Sequence, residues 1–203
     1  MSPLAKTVPA REYYANVDAF SYLSVVLSIV LGLGMTQILT AFGRLIRHRD
    51  RVEEDWLPIL WAVSLLVIFV QVWWSMFGLR VLTGWTFFQF TIVLAQTATL
   101  YVMAAVVLPE DVPESGVNLR AYYERHHRWF FGWFLATLLI SVSKDVVLGG
   151  RLPGTFNLAF HVILATGCVL GMVIRPYRYH QILGVGFALV IATYIGLLFT
   201  RLQ

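Results

Sequence analysis

The chain has 203 residues, of which 59% are hydrophobic and 13% are charged, and its formal net charge is +4. Soluble domains carry about 25% charged residues and expose few large apolar patches, so this composition excludes a soluble globular domain. The basic residues are mostly arginines at the ends of apolar segments. That pattern is typical of membrane topology, so no nucleic-acid partner is expected. The single cysteine, Cys168, excludes a disulfide bond within the chain.

Six apolar segments follow one another along the chain, and each has enough residues to cross about 30 Å of hydrocarbon as a helix. A backbone in lipid must satisfy its own hydrogen bonds, so each segment is predicted to be helical. The predicted spans are residues 19–46, 56–79, 83–108, 129–148, 155–174 and 181–200. The sequence therefore predicts an all-α polytopic membrane protein, a bundle of six transmembrane helices. Residues 19–203 form this single domain, and residues 1–18 form a short extracytoplasmic segment before it.

The connections between the spans carry unequal numbers of basic residues on the two sides of the membrane. Nine lie on one side, namely Arg44, Arg47, Arg49, Arg51, Arg120, Arg125, Arg128, Arg175 and Arg178. Six lie on the other side, namely Lys6, Arg11, Arg80, Lys144, Arg151 and Arg201. Because the side richer in Lys and Arg faces the cytoplasm, we expect a plasma (inner) membrane protein with both termini extracytoplasmic. The cytoplasmic arginines are expected to bind the anionic headgroups of membrane lipids.

Polar residues of five spans fall in the half of the bundle that this orientation places outside. The set contains Asp18, Ser21, Ser24, Gln71, Ser75, Arg80, Gln89, Lys144, Asp145, Asn157 and His161. Intramembrane polar residues face the bundle interior, so these are predicted to line a polar cavity open to the outside. The candidate ligand-binding residues from this set are Asp18, Gln71, Arg80, Gln89, Lys144, Asp145, Asn157 and His161. The alternative is a closed set of interhelical hydrogen bonds and interfacial charges.

Residues 71–80, with the sequence QVWWSMFGLR, place two adjacent tryptophans shortly before Arg80. One interpretation is an aromatic belt at the membrane interface, where Trp is enriched. The other is an aromatic wall of the outer cavity. In that case Trp73 and Trp74 are further ligand-binding candidates, and Arg80 attracts an anionic group.

Lys144 and Asp145 stand next to each other inside the outer end of the fourth span. Adjacent side chains on a helix point about 100° apart, so these two are not expected to face each other. Lys144 then needs Asp18, a ligand or water, and Asp145 needs Arg80, Arg151 or His161. The sequence therefore predicts at least one ion pair between helices among these groups.

The sequence contains none of the common catalytic, phosphate-binding or metal-binding motifs, such as HExxH, GxSxG or CxxC. No catalytic residue is assigned, and no cofactor or metal is expected. His161 is the histidine inside a span, where such a residue is more often a hydrogen-bonding core residue than a ligand. The other four, His48, His126, His127 and His180, fall at the inner surface. They are interpreted as interfacial residues, with a metal site among them as the alternative.

Small residues recur at intervals of four on the last two spans, as GxxxG-type seams do. They are Gly167 and Gly171 in the fifth span, and Gly184, Ala188, Ala192 and Gly196 in the sixth. Such seams let helices approach closely. They are candidates for packing within the bundle or between protomers of a homo-oligomer.

Three functional hypotheses follow from these patterns. The first, which the polar outer residues favour, is binding or transport of a small molecule or ion through the outer cavity. The second is a non-catalytic partner or sensor subunit that acts through helix packing and oligomerisation. The third is an intramembrane enzyme that acts on a lipid substrate through Lys144, Asp145 and His161.

Overall fold

The computed structural model describes the backbone of residues 10–82 and 84–198 and the side chains of residues 20–82 and 84–197. Six α-helices account for most of this part of the chain, and all six are long and apolar enough to cross a membrane. The predicted six-helix bundle is confirmed, and the chain is a multi-pass membrane protein. The helices are α1 (Ala10–Arg47), α2 (Trp56–Met76), α3 (Phe87–Val107), α4 (Leu119–Gly149), α5 (Thr155–Val173) and α6 (Tyr177–Leu198).

Polar residues next to the apolar segments fix where several helices begin and end. The Asp55 side chain accepts a hydrogen bond from the backbone of α2 at Leu57, 2.9 Å away, and so satisfies an amide that the helix leaves free. Asn118 does the same at the start of α4. Gly150 ends α4 with a φ of +64°, a left-handed conformation that glycine adopts at low cost. These caps lie between the apolar segments and satisfy backbone groups that the helix ends leave free.

Two helices are longer than the apolar segments that predicted them. The α1 helix has 38 residues and begins at Ala10, so it continues well beyond the predicted span. The α4 helix has 31 residues and begins at Leu119, whereas residues 109–128 were expected to be a connection. Leu119 and Tyr123 are both buried, because one face of this arginine-rich first part of α4 packs against the bundle. At about 1.5 Å per residue, α4 is about 46 Å long and extends beyond the hydrocarbon.

The α3 helix begins later than predicted. Residues 83–86 were assigned to the third span, but the helix begins at Phe87. Thr86 and Gln89 form a capping box there, in which each side chain accepts a hydrogen bond from the other residue's backbone amide. The capping box therefore stops the helix from extending towards Gly84, which has a φ of +72°.

The helices close into a ring around an aromatic core. The α3 helix packs between α1 and α4, α5 packs between α4 and α6, and α6 returns to α2, which also contacts α1. Trp61 of α2 lies at the centre, with the rings of Phe130, Phe131 and Phe187 between 5.1 and 5.3 Å from its own. Three helices are thus held together by one set of offset and edge-on ring contacts.

The glycine seams receive these aromatic rings. The Phe131 ring lies so close to Gly171 that a Cβ there would be 2.7 Å from a ring carbon. The Phe187 ring covers Gly167 in the same way, and Leu57 packs on Gly184. The predicted α5 seam, and Gly184 at the start of the α6 seam, therefore pack within the bundle. Gly196, at the far end of the α6 seam, has open space around it.

The end of the bundle that carries the nine arginines is joined by a short parallel strand pair, and we term it the arginine-rich end. Strand β1 (Val52–Glu53) pairs with β2 (Val117–Asn118), which links the α1–α2 connection to the α3–α4 connection. Gly116 precedes β2 with a φ of +83°, and a Cβ there would lie 2.8 Å from the Arg51 carbonyl oxygen. Glycine is required at this position both by the backbone conformation and by the close approach. The opposite end of the bundle is termed the Lys144 end.

Candidate functional site

A cavity of about 310 Å³ enters the bundle at the Lys144 end, and we term it the Lys144 cavity. It reaches from the end of α4 to the middle of α3, and residues of α2, α3, α4, α5 and α6 form its wall. The polar wall residues are Gln71, Ser75, Gln96, Thr137, Ser141, Lys144, Asp145, Asn157, His161 and Tyr194. The apolar ones include Ile68, Val72, Leu79, Phe134, Leu138, Leu164 and Ile191.

Lys144 and Asp145 face each other at the cavity wall, contrary to expectation. The ammonium nitrogen of Lys144 lies 3.9 Å from a carboxylate oxygen of Asp145. The prediction that the two adjacent groups would not face each other is wrong, because both side chains bend from the helix surface towards the same space. The predicted ion pair between helices is likewise not found among the described side chains at this end.

The contact between the two charges is long. At 3.9 Å it is an ion pair without a hydrogen bond, since N–H···O bonds have donor–acceptor distances of about 2.7–3.2 Å. The side chains of Lys144 and Asp145 are 15% and 31% exposed. Neither charge is therefore fully enclosed by protein, and each retains hydrogen-bonding capacity on the cavity side.

His161 is fixed by hydrogen bonds from both ring nitrogens. Its Nδ1 lies 2.9 Å from the Asn157 carbonyl oxygen, which can only accept, so Nδ1 carries the proton. The neutral ring then accepts at Nε2 the hydroxyl proton of Ser141, 3.2 Å away. The Tyr194 hydroxyl donates to the side-chain oxygen of Asn157 at 3.0 Å. A polar chain thus connects α4, α5 and α6 across the cavity wall.

Gln96 is a polar residue of the cavity wall whose side-chain oxygen is left without a partner. It lies near the middle of α3, and only 4% of its surface is exposed. Its side-chain oxygen is buried and makes no hydrogen bond with any described residue. A buried amide without a partner costs about 1–3 kcal/mol, so such groups are rare unless water or a ligand completes them.

Five of the predicted candidate residues come together in the cavity, and four others do not. Gln71, Lys144, Asp145, Asn157 and His161 all line it. Arg80 lies outside on the protein surface, with its guanidinium 3.7 Å from the centre of the Phe77 ring. Gln89 is held in the capping box of α3, away from the cavity.

The predicted aromatic wall is not part of the cavity. Trp73 is 55% exposed on the outside of the bundle, and Trp74 is also absent from the cavity wall. Gln71 and Ser75 are four residues apart on one face of α2 and line the cavity, whereas Trp73 and Trp74 lie on other faces of the same helix. The side chain of Asp18 lies outside the described residues. In α1, the Ser24 hydroxyl donates locally to the Ser21 carbonyl oxygen, and none of the α1 side chains that the structure describes, from residue 20 onwards, lines the cavity.

Four polar wall residues were not in the predicted outer polar set: Gln96, Thr137, Ser141 and Tyr194. Ser75 was in that set and lines the cavity, although it was not chosen as a ligand-binding candidate. The sequence did carry a signal for the first three. Gln96 shares a helix face with Gln89, and Thr137 and Ser141 share one with Asp145, so each is on the same face as a predicted candidate. Thr137, Ser141 and Asp145 are four residues apart and all point into the cavity. Tyr194 carried no such signal, because a Tyr near the end of a span also fits an interfacial anchor.

The predicted interfacial histidines lie at the arginine-rich end. The rings of His127 and His180 are 4.9 Å apart, and Tyr123 donates a hydrogen bond of 2.8 Å to His180. Among the described residues, no three His, Cys, Asp or Glu side chains are close enough to hold a metal ion.

Comparisons with protein-family models, with curated proteins and with solved structures find no match to this chain. The Lys144 cavity combines an apolar body, one ion pair and several hydrogen-bonding groups.

Proposed function

We propose that this membrane protein binds a small molecule in the Lys144 cavity and transports it or responds to it. The observation that carries the proposal is Gln96, a residue of the cavity wall whose buried side-chain oxygen has no partner among the described residues. A purely structural polar network satisfies its buried groups. An unpartnered amide oxygen in the wall of an open cavity instead fits a site that a ligand completes.

The size and composition of the cavity support the same proposal. Small-molecule sites have volumes of about 300–1,000 Å³ and mostly apolar walls with a few convergent polar groups. The Lys144 cavity has about 310 Å³, at the lower limit of that range. A second copy or a partner subunit would bind a surface, so the enclosed polar groups favour a small ligand over a packing role.

The charges in the cavity point to the chemical class of the ligand. Lys144 and Asp145 neutralise each other and so do not favour a bare cation or a bare anion. Each has a hydrogen-bonding capacity that the 3.9 Å contact leaves unused. A zwitterion, or a neutral polar molecule with an apolar body, would satisfy both groups, and a donor at its far end would reach Gln96.

We further propose that the Lys144 end faces the extracytoplasmic side of the plasma (inner) membrane, with both termini on that side. The support is the excess of arginines at the opposite end. The ligand would then enter from outside the cell.

Cysteine labelling tests both the cavity and its orientation. Ser141 lines the cavity, while Ser143 of the same helix is exposed on the outside of the bundle. We expect an anionic, membrane-impermeant methanethiosulfonate to label Ser141→Cys in right-side-out vesicles and to leave Ser143→Cys unlabelled, because a thiol in lipid does not react with it. The native Cys168 is buried, so the wild-type chain is the unlabelled control.

Other labelling patterns would change either the orientation or the cavity. Labelling of Ser141→Cys only in inside-out vesicles would retain the cavity and reverse the orientation. Absence of labelling in both kinds of vesicle would reject an open cavity and, with it, the proposed ligand site. Protection of Ser141→Cys by a panel of amino acids and other zwitterions would then identify the ligand class.

One observation favours a second candidate function, hydrolysis of an ester in the membrane. The Ser141 hydroxyl and the His161 Nε2 are within hydrogen-bonding distance, and a backbone carbonyl orients the ring, as in nucleophile–base pairs. Ser141 Oγ would attack the ester carbonyl while His161 Nε2 takes the hydroxyl proton of Ser141. His161 would then pass that proton to the leaving alkoxide. Water, deprotonated by His161, would then release the acid. We expect a fluorophosphonate probe to modify wild type but not Ser141→Ala if this function holds, and unmodified wild-type protein would reject it.

A further inference from the structure

A second cleft lies at the arginine-rich end, on the side of the bundle opposite the Lys144 cavity. It has a volume of about 450 Å³ and is formed by the first part of α4 and the connection from α5 to α6. We term it the arginine cleft. Its lining residues are Tyr123, Glu124, Arg125, His127, Arg128, Arg175 and His180.

The charge of the arginine cleft is strongly positive and is not neutralised by any side chain that the structure describes. Three arginines line it, against one carboxylate, Glu124. That carboxylate already binds Arg120 at 3.0 Å. None of Arg125, Arg128 and Arg175 has an ion-pair partner among the described side chains. The cleft therefore presents three guanidinium groups whose hydrogen-bond donors remain available.

The floor of the arginine cleft is fixed by buried hydrogen bonds. His180 donates from Nε2 to the Ile174 carbonyl oxygen at 2.8 Å and accepts at Nδ1 the hydroxyl proton of Tyr123, also at 2.8 Å. Both residues are buried. A floor held by such bonds keeps the α4 arginines and Arg175 at a fixed separation.

His127 adds a group that the chain does not satisfy. Its Nδ1 bonds to the Glu124 carbonyl oxygen at 2.9 Å, whereas its Nε2 is buried and has no partner among the described residues. Because Nδ1 donates to a carbonyl oxygen, Nε2 is free to accept a hydrogen bond from a hydroxyl group of a ligand. His127 lines the same cleft as the three arginines.

We propose that the arginine cleft binds a phosphate group. Guanidinium groups match phosphate oxygens with two parallel hydrogen bonds, and several converging arginines favour phosphate over a single carboxylate. The source of the phosphate is an anionic phospholipid headgroup or a soluble phosphate. Trp129 follows the cleft arginines and is 67% exposed, as a membrane-interface anchor is, so the cleft lies at headgroup depth.

The test is a thermal-unfolding measurement on the full chain, delipidated in detergent. A thiol-reactive dye reports unfolding, since the only cysteine is buried in the folded protein. The probes are dioleoyl phosphatidylglycerol, inorganic phosphate and the zwitterionic dioleoyl phosphatidylcholine. We expect phosphatidylglycerol to raise the unfolding temperature in a saturable way and phosphatidylcholine to have little effect. Stabilisation by inorganic phosphate as well would identify a site for soluble phosphate.

The variants separate the cleft from the general surface charge. In Arg128→Gln/Arg175→Gln, we expect the half-saturating concentration of phosphatidylglycerol to rise about tenfold or more, because charge-assisted hydrogen bonds to the phosphate are lost. The matched control is Arg47→Gln/Arg49→Gln, which removes two exposed arginines from the same end but outside the cleft. Arg175→Lys keeps the charge, loses the paired geometry and is expected to weaken binding less.

Three results would overturn the proposal. They are no stabilisation of wild type by either phosphate probe, unchanged binding by the cleft variant, and an equal loss in the control variant. Because the arginine cleft and the Lys144 cavity share no residue, none of these results bears on the proposed small-molecule site.

Discussion

The ammonium group of Lys144 lies 3.9 Å from the carboxylate of the adjacent Asp145, and both side chains reach the same cavity. A single helix, α4, thus supplies both a positive and a negative charge to the cavity. The pair is partly exposed and has no mutual hydrogen bond, so a ligand with complementary groups can engage both charges without breaking a strong contact.

A double-mutant cycle tests this pairing. Lys144→Met leaves the Asp145 carboxylate without its cation, and Asp145→Asn does the reverse, so each single change is expected to lower the free energy of unfolding. The double variant removes both charges, so its loss of unfolding free energy should be smaller than the sum of the two single losses. We expect a coupling of about 1 kcal/mol, because the pair is partly exposed. The measurement is reversible unfolding by SDS in mixed micelles. Additive losses would show that the two charges do not interact.

Replacing Gln96 tests whether its oxygen lacks a partner in the ligand-free protein. Gln96→Leu removes a buried amide that makes no hydrogen bond, so it is expected to raise the free energy of unfolding by about 1 kcal/mol. The neighbouring Thr97 provides the control, since its buried hydroxyl donates to the Leu94 carbonyl at 2.8 Å. Thr97→Val is expected to destabilise. A loss of stability in Gln96→Leu would mean that another group already satisfies the amide.

The contact between Gly171 and the Phe131 ring predicts a position where one methyl group is costly. Gly171→Ala would place a Cβ 2.7 Å from the ring, so the ring and its neighbours must move. We expect destabilisation by about 1–3 kcal/mol. Gly186 of α6 has open space around it, and Gly186→Ala should be neutral or stabilising through its higher helix propensity. Thermal unfolding followed by circular dichroism distinguishes the two, and equal effects would contradict the tight contact.

The strand pair at the arginine-rich end gives a fourth prediction. Gly116→Ala combines an unfavourable backbone conformation with a contact of 2.8 Å to the Arg51 carbonyl oxygen. We expect it to cost about 2–3 kcal/mol and to separate the two connections. Gly84 also has a positive φ but open space, so Gly84→Ala should cost only about 1 kcal/mol. Hydrogen exchange of the amides of Val52–Glu53 and Val117–Asn118 would report the separation, and unchanged protection of all of them would contradict it.

The sequence predicted the six helices correctly because hydrocarbon imposes one backbone solution on each apolar segment. The polar ends of α3 and α4 were harder to place. Hydropathy does not register a capping box at Thr86, or a helix that continues through Arg120–Arg128 into the aqueous boundary. Both are decided by local hydrogen bonds and by burial of Leu119 and Tyr123.

The candidate cavity could be predicted only in part, for a related reason. Depth along the membrane normal follows from position in the sequence, and it brought Gln71, Asn157 and His161 to one end correctly. Rotation about the helix axis does not follow from depth. Trp73 and Arg80 share the depth of the cavity but point away from it. The bend of Lys144 and Asp145 towards each other likewise depends on side-chain rotamers that a helical wheel does not give.

The two ends of the bundle are tied together to different degrees. At the arginine-rich end, the β1–β2 pair, a hydrogen bond from Tyr177 to Asp55 and one from Arg44 to the Glu110 carbonyl join connections that are distant in sequence. The described hydrogen bonds of the connections at the Lys144 end stay within each connection. The arginine-rich end is therefore cross-linked by contacts between its connections, whereas the Lys144 end is held mainly by the packing of the helices. The cavity thus opens at the end of the bundle where the fewest connections have to separate if its mouth is to widen.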